Sequence, residues 1–127
     1  MEHLALYSEL NLSDFCNKIS DLFVLPKFVL DSENETEWGE SKKGDLQINV
    51  SRPFEIGTLQ EWDDTVPEGC NFGIIITKPN IKQKEVEKIG ELITNEFKTS
   101  VFHHRTWLGP GQNIRREIEI KGSYNNI

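Results

Sequence analysis

The sequence lacks features that several classes of protein require. It has two cysteines, Cys16 and Cys70, which form no Cys-x-x-Cys pair and do not have the spacing of a metal site. Two cysteines without such a pattern are expected to be free thiols, as in proteins of a reducing compartment. The first residues, Met-Glu-His-Leu, lack the basic start of a signal peptide. We therefore expect a cytoplasmic protein.

Long hydrophobic runs and an excess of basic residues are also absent. The longest apolar stretch, residues 23–30, is interrupted by Pro26 and Lys27 and is far shorter than the ~20 residues of a membrane-spanning helix. Acidic residues outnumber basic residues by 21 to 14, and the pI is about 5.0. Nucleic acids and anionic membrane surfaces attract basic proteins, so we expect neither as a partner.

The sequence does have a concentration of acidic residues in its middle. Residues 31–68 contain eleven of the 21 acidic residues and only three of the 14 basic ones, so the rest of the chain is nearly neutral. Hydrophobic residues make up 36% and charged residues 28% of the chain, as in globular proteins. A length of 127 residues predicts one domain, residues 1–127.

Apolar residues at helical spacing predict two helices. The first, capped by Asn11 or Ser13 and ended by Pro26, has an apolar stripe of Phe15, Cys16, Ile19, Leu22 and Phe23. The second runs from Pro79 to about Lys98, with Asn80 and Gln83 as a capping box. Its stripe is Val86, Ile89, Ile93 and Phe97, and Gly90 beside it predicts close packing.

Alternating or apolar segments predict strands at residues 4–10, 27–32, 35–40, 46–50, 71–77, 100–107 and 114–121. Residues 71–77 are the most apolar and are expected at the centre of the sheet, whereas residues 54–70 are expected to form a long connection. The predicted fold is α+β, with two helices on one face of a mainly antiparallel sheet and a pseudo-repeat of two β-α-β-β units. One continuous sheet is expected rather than two smaller ones.

The histidines offer the clearest candidates for catalysis. In His103-His104-Arg105, His103 and Arg105 share one strand face and His104 the other, so an acid–base pair of histidines would need His3. A phosphodiesterase that uses His103 and Arg105 is one interpretation. The other is a polar strand face with one half-buried, hydrogen-bonded histidine. We predict no enzyme and assign no catalytic residue.

Carboxylates recur at every second residue from Asp31 to Glu37. A calcium loop would have glycine and glutamate where this sequence has Thr36 and Lys42, so we predict no metal site, and no cofactor is expected. If residues 31–37 form one strand, the carboxylates line one face of it. Tryptophan among carboxylates is typical of an interface, although Trp62 could instead pin the long connection to the core. The predicted partner-binding residues are Glu33, Glu35, Glu37, Trp38, Trp62, Asp63 and Asp64.

Three segments are notable together with the small size, the α+β order and the acidic middle of the chain: Glu37-Trp38-Gly39, Asn71-Phe72-Gly73-Ile74 and Phe102-His103-His104-Arg105-Thr106-Trp107. In these features the chain resembles the small immunity proteins of bacterial toxin–immunity systems, including contact-dependent inhibition and polymorphic toxins. The resemblance implies a cytoplasmic, non-enzymatic protein that binds one cognate toxin and blocks it. The acidic surface favours a nuclease with a basic cleft as that toxin. A regulatory or scaffold module for another basic partner is the alternative, and a small His-dependent phosphodiesterase is the second.

Overall fold

The computed structural model describes residues 2–33, 35–53, 69–109 and 112–120, and of residues 104–118 in this range it describes the backbone alone. The described residues form seven strands and two helices. In chain order they are β1 (Glu2–Leu6), α1 (Leu12–Phe23), β2 (Val29–Glu33), β3 (Thr36–Lys43), β4 (Leu46–Pro53), β5 (Phe72–Thr77), α2 (Gln83–Phe97), β6 (Val101–Gly109) and β7 (Gln112–Ile120).

The seven strands form one antiparallel sheet in the order β2-β3-β4-β5-β1-β6-β7. The predicted α+β class and single continuous sheet are confirmed, and β5 is the central strand as expected. The pseudo-repeat is not confirmed, because three strands separate α1 from β5 whereas two described strands follow α2. The strands β5 and β6 are parallel and joined through α2, with β1 inserted between them.

Both helices cover the same face of the sheet, as predicted. The ring of Phe15 in α1 stacks on Phe72 of β5 with 4.0 Å between centroids, and it also lies 4.6 Å from the ring of Phe97 in α2. These three rings join the two helices to the central strand. We call this the helix face of the sheet and the opposite side the outer face. The core on the helix face consists largely of Leu4, Leu6, Phe15, Ile19, Ile48, Val50, Phe72, Ile74, Ile76, Val86, Ile93 and Val101.

The helix α1 follows its sequence signals closely. Asn11 is the N-cap, and its side-chain oxygen accepts a hydrogen bond from the backbone N–H of Asp14 at 2.8 Å. The predicted stripe faces the sheet, with Phe15, Cys16 and Ile19 buried. The helix ends at Phe23, because Val24 takes a left-handed conformation with φ of 53°. Pro26, which was expected to end the helix, follows that turn.

The helix α2 begins later than predicted. Pro79 lies in a turn, and Asn80 adopts a left-handed φ of 58°, so the first helical residue is Gln83. The expected capping box is wrong, because Lys82 is the N-cap residue and supplies no side-chain cap. The amide of Gln83 donates instead to Glu87 within the helix. The apolar stripe of the helix is nevertheless correct, with Val86 and Ile93 fully buried.

Gly90 allows α2 to approach β7 closely. A Cβ placed on Gly90 would lie 2.5 Å from the terminal methyl carbon, Cδ1, of Ile120. No ordinary side-chain contact is that short. The sequence-based expectation of close packing at Gly90 is confirmed, and the neighbour is the last residue of β7.

The first strand is shorter than the predicted 4–10. It ends at Leu6, and the chain then turns under the control of Asn71, whose side chain is buried. The side-chain oxygen of Asn71 accepts from the N–H of Ser8 at 2.9 Å, and its amide donates to the Ser8 carbonyl at 2.8 Å. These side-chain hydrogen bonds take the place of the backbone hydrogen bonds that a longer β1 would have made with a neighbouring strand. Most of the predicted long connection, residues 54–68, lies outside the described residues.

Candidate partner-binding surface

The first group of predicted site residues lies on the hairpin formed by β2 and β3. β2 is an edge strand whose five residues are all exposed, and it pairs with β3 alone among the described strands. Glu33 ends β2, exposed Glu35 lies in the turn, and Glu37 and Trp38 belong to β3. The structure thus brings these four residues together at one end of the sheet.

The expectation that Glu33, Glu35 and Glu37 line one strand face is wrong. The register pairs Glu33 with Thr36 and Ser32 with Glu37. Directly opposed residues share a face and neighbours alternate, so Glu33 and Glu37 point to opposite faces. The physical reason is that the chain reverses between Glu33 and Thr36. Side chains at every second residue lie on one face only within a single uninterrupted strand.

Glu37 is directed towards the helix face and makes an internal ion pair. Its carboxylate oxygen Oε1 lies 3.6 Å from Nη1 of Arg52, and the guanidinium of Arg52 lies 5.6 Å from the centre of the Phe72 ring. The negative charge of Glu37 also acts on the thiol of Cys16. The pKa of this thiol is raised to about 12, mainly by burial and in addition by the charge of Glu37. The charge of Glu37 is therefore engaged within the chain.

Trp38 occupies the outer face together with residues that were not singled out as site residues. Its cross-strand partner is Asp31, and one step along the same face Glu40 is opposite Val29. These side chains border a groove of about 480 Å³, the Trp38 groove, which is lined by Pro26, Lys27, Val29, Asp31, Trp38, Glu40, Ser41 and Lys42. The indole is partly accessible, and Val29 is 75% exposed. These residues are opposite one another because of the register between β2 and β3, which the separate predictions of strands at residues 27–32 and 35–40 did not supply.

The second group of predicted site residues, Trp62, Asp63 and Asp64, lies outside the described residues. Their place relative to the hairpin therefore stays a prediction.

The histidines divide between the two faces. His103 is 3% exposed on the helix face of β6, and its Nε2 lies 2.8 Å from a carboxylate oxygen of Glu2. The expected hydrogen bond of one histidine is thus present, but the expectation that this histidine is half-buried is wrong, because His103 is buried. The backbone register places His3 of β1 opposite His104 of β6.

In the described part of the chain, no three side chains of histidine, cysteine, aspartate or glutamate are arranged to hold a metal ion. None of its helices has the length and apolar character needed to cross a membrane. Comparison with protein-family models, with curated proteins and with solved structures found no match to the chain.

Proposed function

We propose that this protein is an immunity protein that binds a cognate bacterial toxin, a nuclease with a basic cleft, and blocks it without any catalytic step of its own. The observation that carries the proposal is the β2–β3 hairpin, where exposed carboxylates surround a partly accessible tryptophan at the edge of the sheet. The resemblance of the sequence to immunity proteins supplies the choice of a toxin as partner.

The charge of the hairpin supports a basic partner. Asp31, Glu33, Glu35 and Glu40 are all exposed, and no described basic side chain lies within ion-pair distance of them. A surface of this kind attracts a basic protein during diffusion and raises the association rate, most strongly at low salt. A carboxylate surface also competes directly with the phosphates that a nuclease cleft binds. Trp38 adds a contact that salt does not screen.

The first experiment is to isolate the partner. The tagged protein should recover a stoichiometric basic protein from its own cells, and the neighbouring gene should encode a large secreted toxin. Co-expression should then restore growth of cells that produce the toxin domain. Recovery of a basic partner that is not toxic would support the alternative, a regulatory or scaffold module, and would overturn the immunity proposal.

The second experiment tests the surface with a charge-matched control. Glu33→Gln/Glu35→Gln removes two charges from the hairpin, and Glu9→Gln/Glu91→Gln removes two from exposed positions elsewhere. The hairpin variant should associate several-fold more slowly at low salt and show a weaker salt dependence. The control should behave as wild type. Equal rates for both variants would show that the hairpin does not face the partner.

One observation favours a second candidate, a small His-dependent phosphodiesterase. The backbone register places His3 directly opposite His104, and two neighbouring histidines favour paired acid–base chemistry. The test is hydrolysis of RNA, DNA and cyclic nucleotides by the purified protein. Activity that disappears in both His3→Ala and His104→Ala would establish this candidate. Absence of activity in the wild type would eliminate it.

A further inference from the structure

We infer that the Trp38 groove is a receptor for one arginine side chain of a protein partner. The inference rests on the proposed function in so far as the partner is a basic protein, and it adds which group of that partner is recognised and where. Its evidence is the arrangement of four side chains across β2 and β3.

The register creates an aromatic platform with a carboxylate on two sides. Asp31 is directly opposite Trp38, and Glu40 lies two residues along the same strand on the same face. Directly opposed side chains have Cβ atoms about 5 Å apart, and successive same-face positions are about 7 Å apart. A guanidinium over the indole is therefore within reach of both carboxylates. Val29, opposite Glu40, offers its exposed side chain to the methylene stem of the arginine.

The chemistry of these groups favours arginine over lysine. A guanidinium is flat, so it can stack on the indole face while its N–H groups bind a carboxylate side by side. An ammonium ion is more strongly hydrated and lacks the flat surface. The carboxylates remain accessible for this role. Asp31 accepts one hydrogen bond from the backbone N–H of Ser32, Glu40 accepts one from the Gln47 amide, and both are exposed.

Two lysines limit the groove to a single cation and give the groove a basic end opposite its acidic end. Lys42 follows Glu40 on the outer face of β3, and Lys27, which precedes β2 in the sequence, also lines the groove. The acidic end is thus at the hairpin turn and the basic end is away from it. A second cation would be repelled at the basic end, so the groove selects an isolated arginine rather than a run of basic residues. Removing Lys42 should tighten binding and removing Asp31 should weaken it.

The test uses a peptide and needs no toxin. The probe is acetyl-Gly-Arg-Gly-amide, and its matched control contains citrulline, which has the same shape without the charge. Binding is followed by the indole N–H resonances of the ¹⁵N-labelled protein, which has three tryptophans, and the Trp38→Phe variant assigns the signal of Trp38. The arginine peptide should shift that signal saturably and bind more tightly than the citrulline peptide by at least about 2–5-fold, the range for an exposed cation–π contact without the ion pairs.

Three variants separate recognition from general attraction. Asp31→Asn should weaken binding of the arginine peptide by about 2–5-fold, as expected for an exposed ion pair, and Lys42→Gln should strengthen it. Asp45→Asn removes the same charge from the exposed turn between β3 and β4 and should have little effect. Far-ultraviolet circular dichroism confirms that each variant is folded.

Equal binding of the two peptides, an unsaturable shift, or equal effects of Asp31→Asn and Asp45→Asn would overturn the inference. Any of these results would leave the proposed immunity function to be judged by recovery of the partner, because a toxin can bind the hairpin without placing an arginine in the groove.

Discussion

The contact between Gly90 and Ile120 allows a quantitative test of how α2 lies on the sheet. Replacing glycine by alanine inside a helix stabilises it by about 1 kcal/mol. At position 90 the added methyl would be 2.5 Å from Cδ1 of Ile120, whereas Cγ1 and Cγ2 of that residue would be at an acceptable 3.6 Å. Only the terminal methyl of Ile120 obstructs the change. Overpacking costs about 1–3 kcal/mol, and the cost here should lie at the low end, because Cδ1 is the far end of a flexible side chain that can rotate away.

The two effects oppose each other, so Gly90→Ala should leave the free energy of unfolding nearly unchanged in the wild-type background. In the Ile120→Val background the obstructing methyl is gone, and the same change should stabilise by about 1 kcal/mol. The double-mutant cycle should therefore give a coupling free energy of about 1 kcal/mol. This difference does not depend on the cost of Ile120→Val itself, because that cost appears on both sides of the cycle.

The assay is urea unfolding of the four proteins, followed by circular dichroism and tryptophan fluorescence in parallel. Coincident transitions would justify a two-state analysis, and equal m-values would show that the unfolded states are comparable. If Gly90→Ala changed stability by the same amount in both backgrounds, the close approach of α2 to the end of β7 would be refuted. The register of the last strand would then need revision.

Three other predictions concern the core and two ionisable groups. Phe15→Ala should cost about 3–5 kcal/mol of unfolding free energy in the same urea assay, because it removes the ring between Phe72 and Phe97; a neutral effect would contradict the assigned stripe of α1. The pKa of the Cys16 thiol is raised to about 12, so native protein at pH 8 should alkylate at this residue far more slowly than unfolded protein, as judged by mass spectrometry; equal rates would refute its burial. The hydrogen bond and charge of Lys78, 2.8 Å away, lower the pKa of Glu85, so its contribution to stability should be present at neutral pH and should disappear as the pH falls through the lowered pKa. A difference in stability between wild type and Glu85→Gln that persisted below pH 2 would contradict this assignment.

The elements that the sequence predicted well are those whose signals are local. The stripe of α1 and its cap at Asn11 follow from side chains within one or two helical turns. The alternation in β4 likewise predicted its buried face, Ile48 and Val50, without knowledge of its neighbours. The antiparallel α+β class followed from the order of such elements, and the structure confirms it.

The parts that were missed depend on where the chain turns and on distant partners. The break between the predicted strands 27–32 and 35–40 and the turn-favouring Asn34 both indicated a turn near residue 34, but the alternating carboxylates were nevertheless taken for one strand face. The end of β1 depends on Asn71, which is 63 residues from the Ser8 backbone that it binds. The Trp38 groove depends on a cross-strand register, which no single segment encodes.

The position of β1 has a consequence for how the chain folds. Leu4 pairs with Ile74 on one side and with His103 on the other, so β1 completes its hydrogen bonding only after both β5 and β6, which follow it far along the sequence, have been synthesised. Contacts between residues so far apart in sequence slow folding, because the chain must close long loops before they form. During translation, β1 and the apolar side of α1 would remain without their native contacts until β5, α2 and β6 are available. Because β1 is inserted between β5 and β6, we expect this part of the sheet to form late, once segments far apart in the sequence can meet.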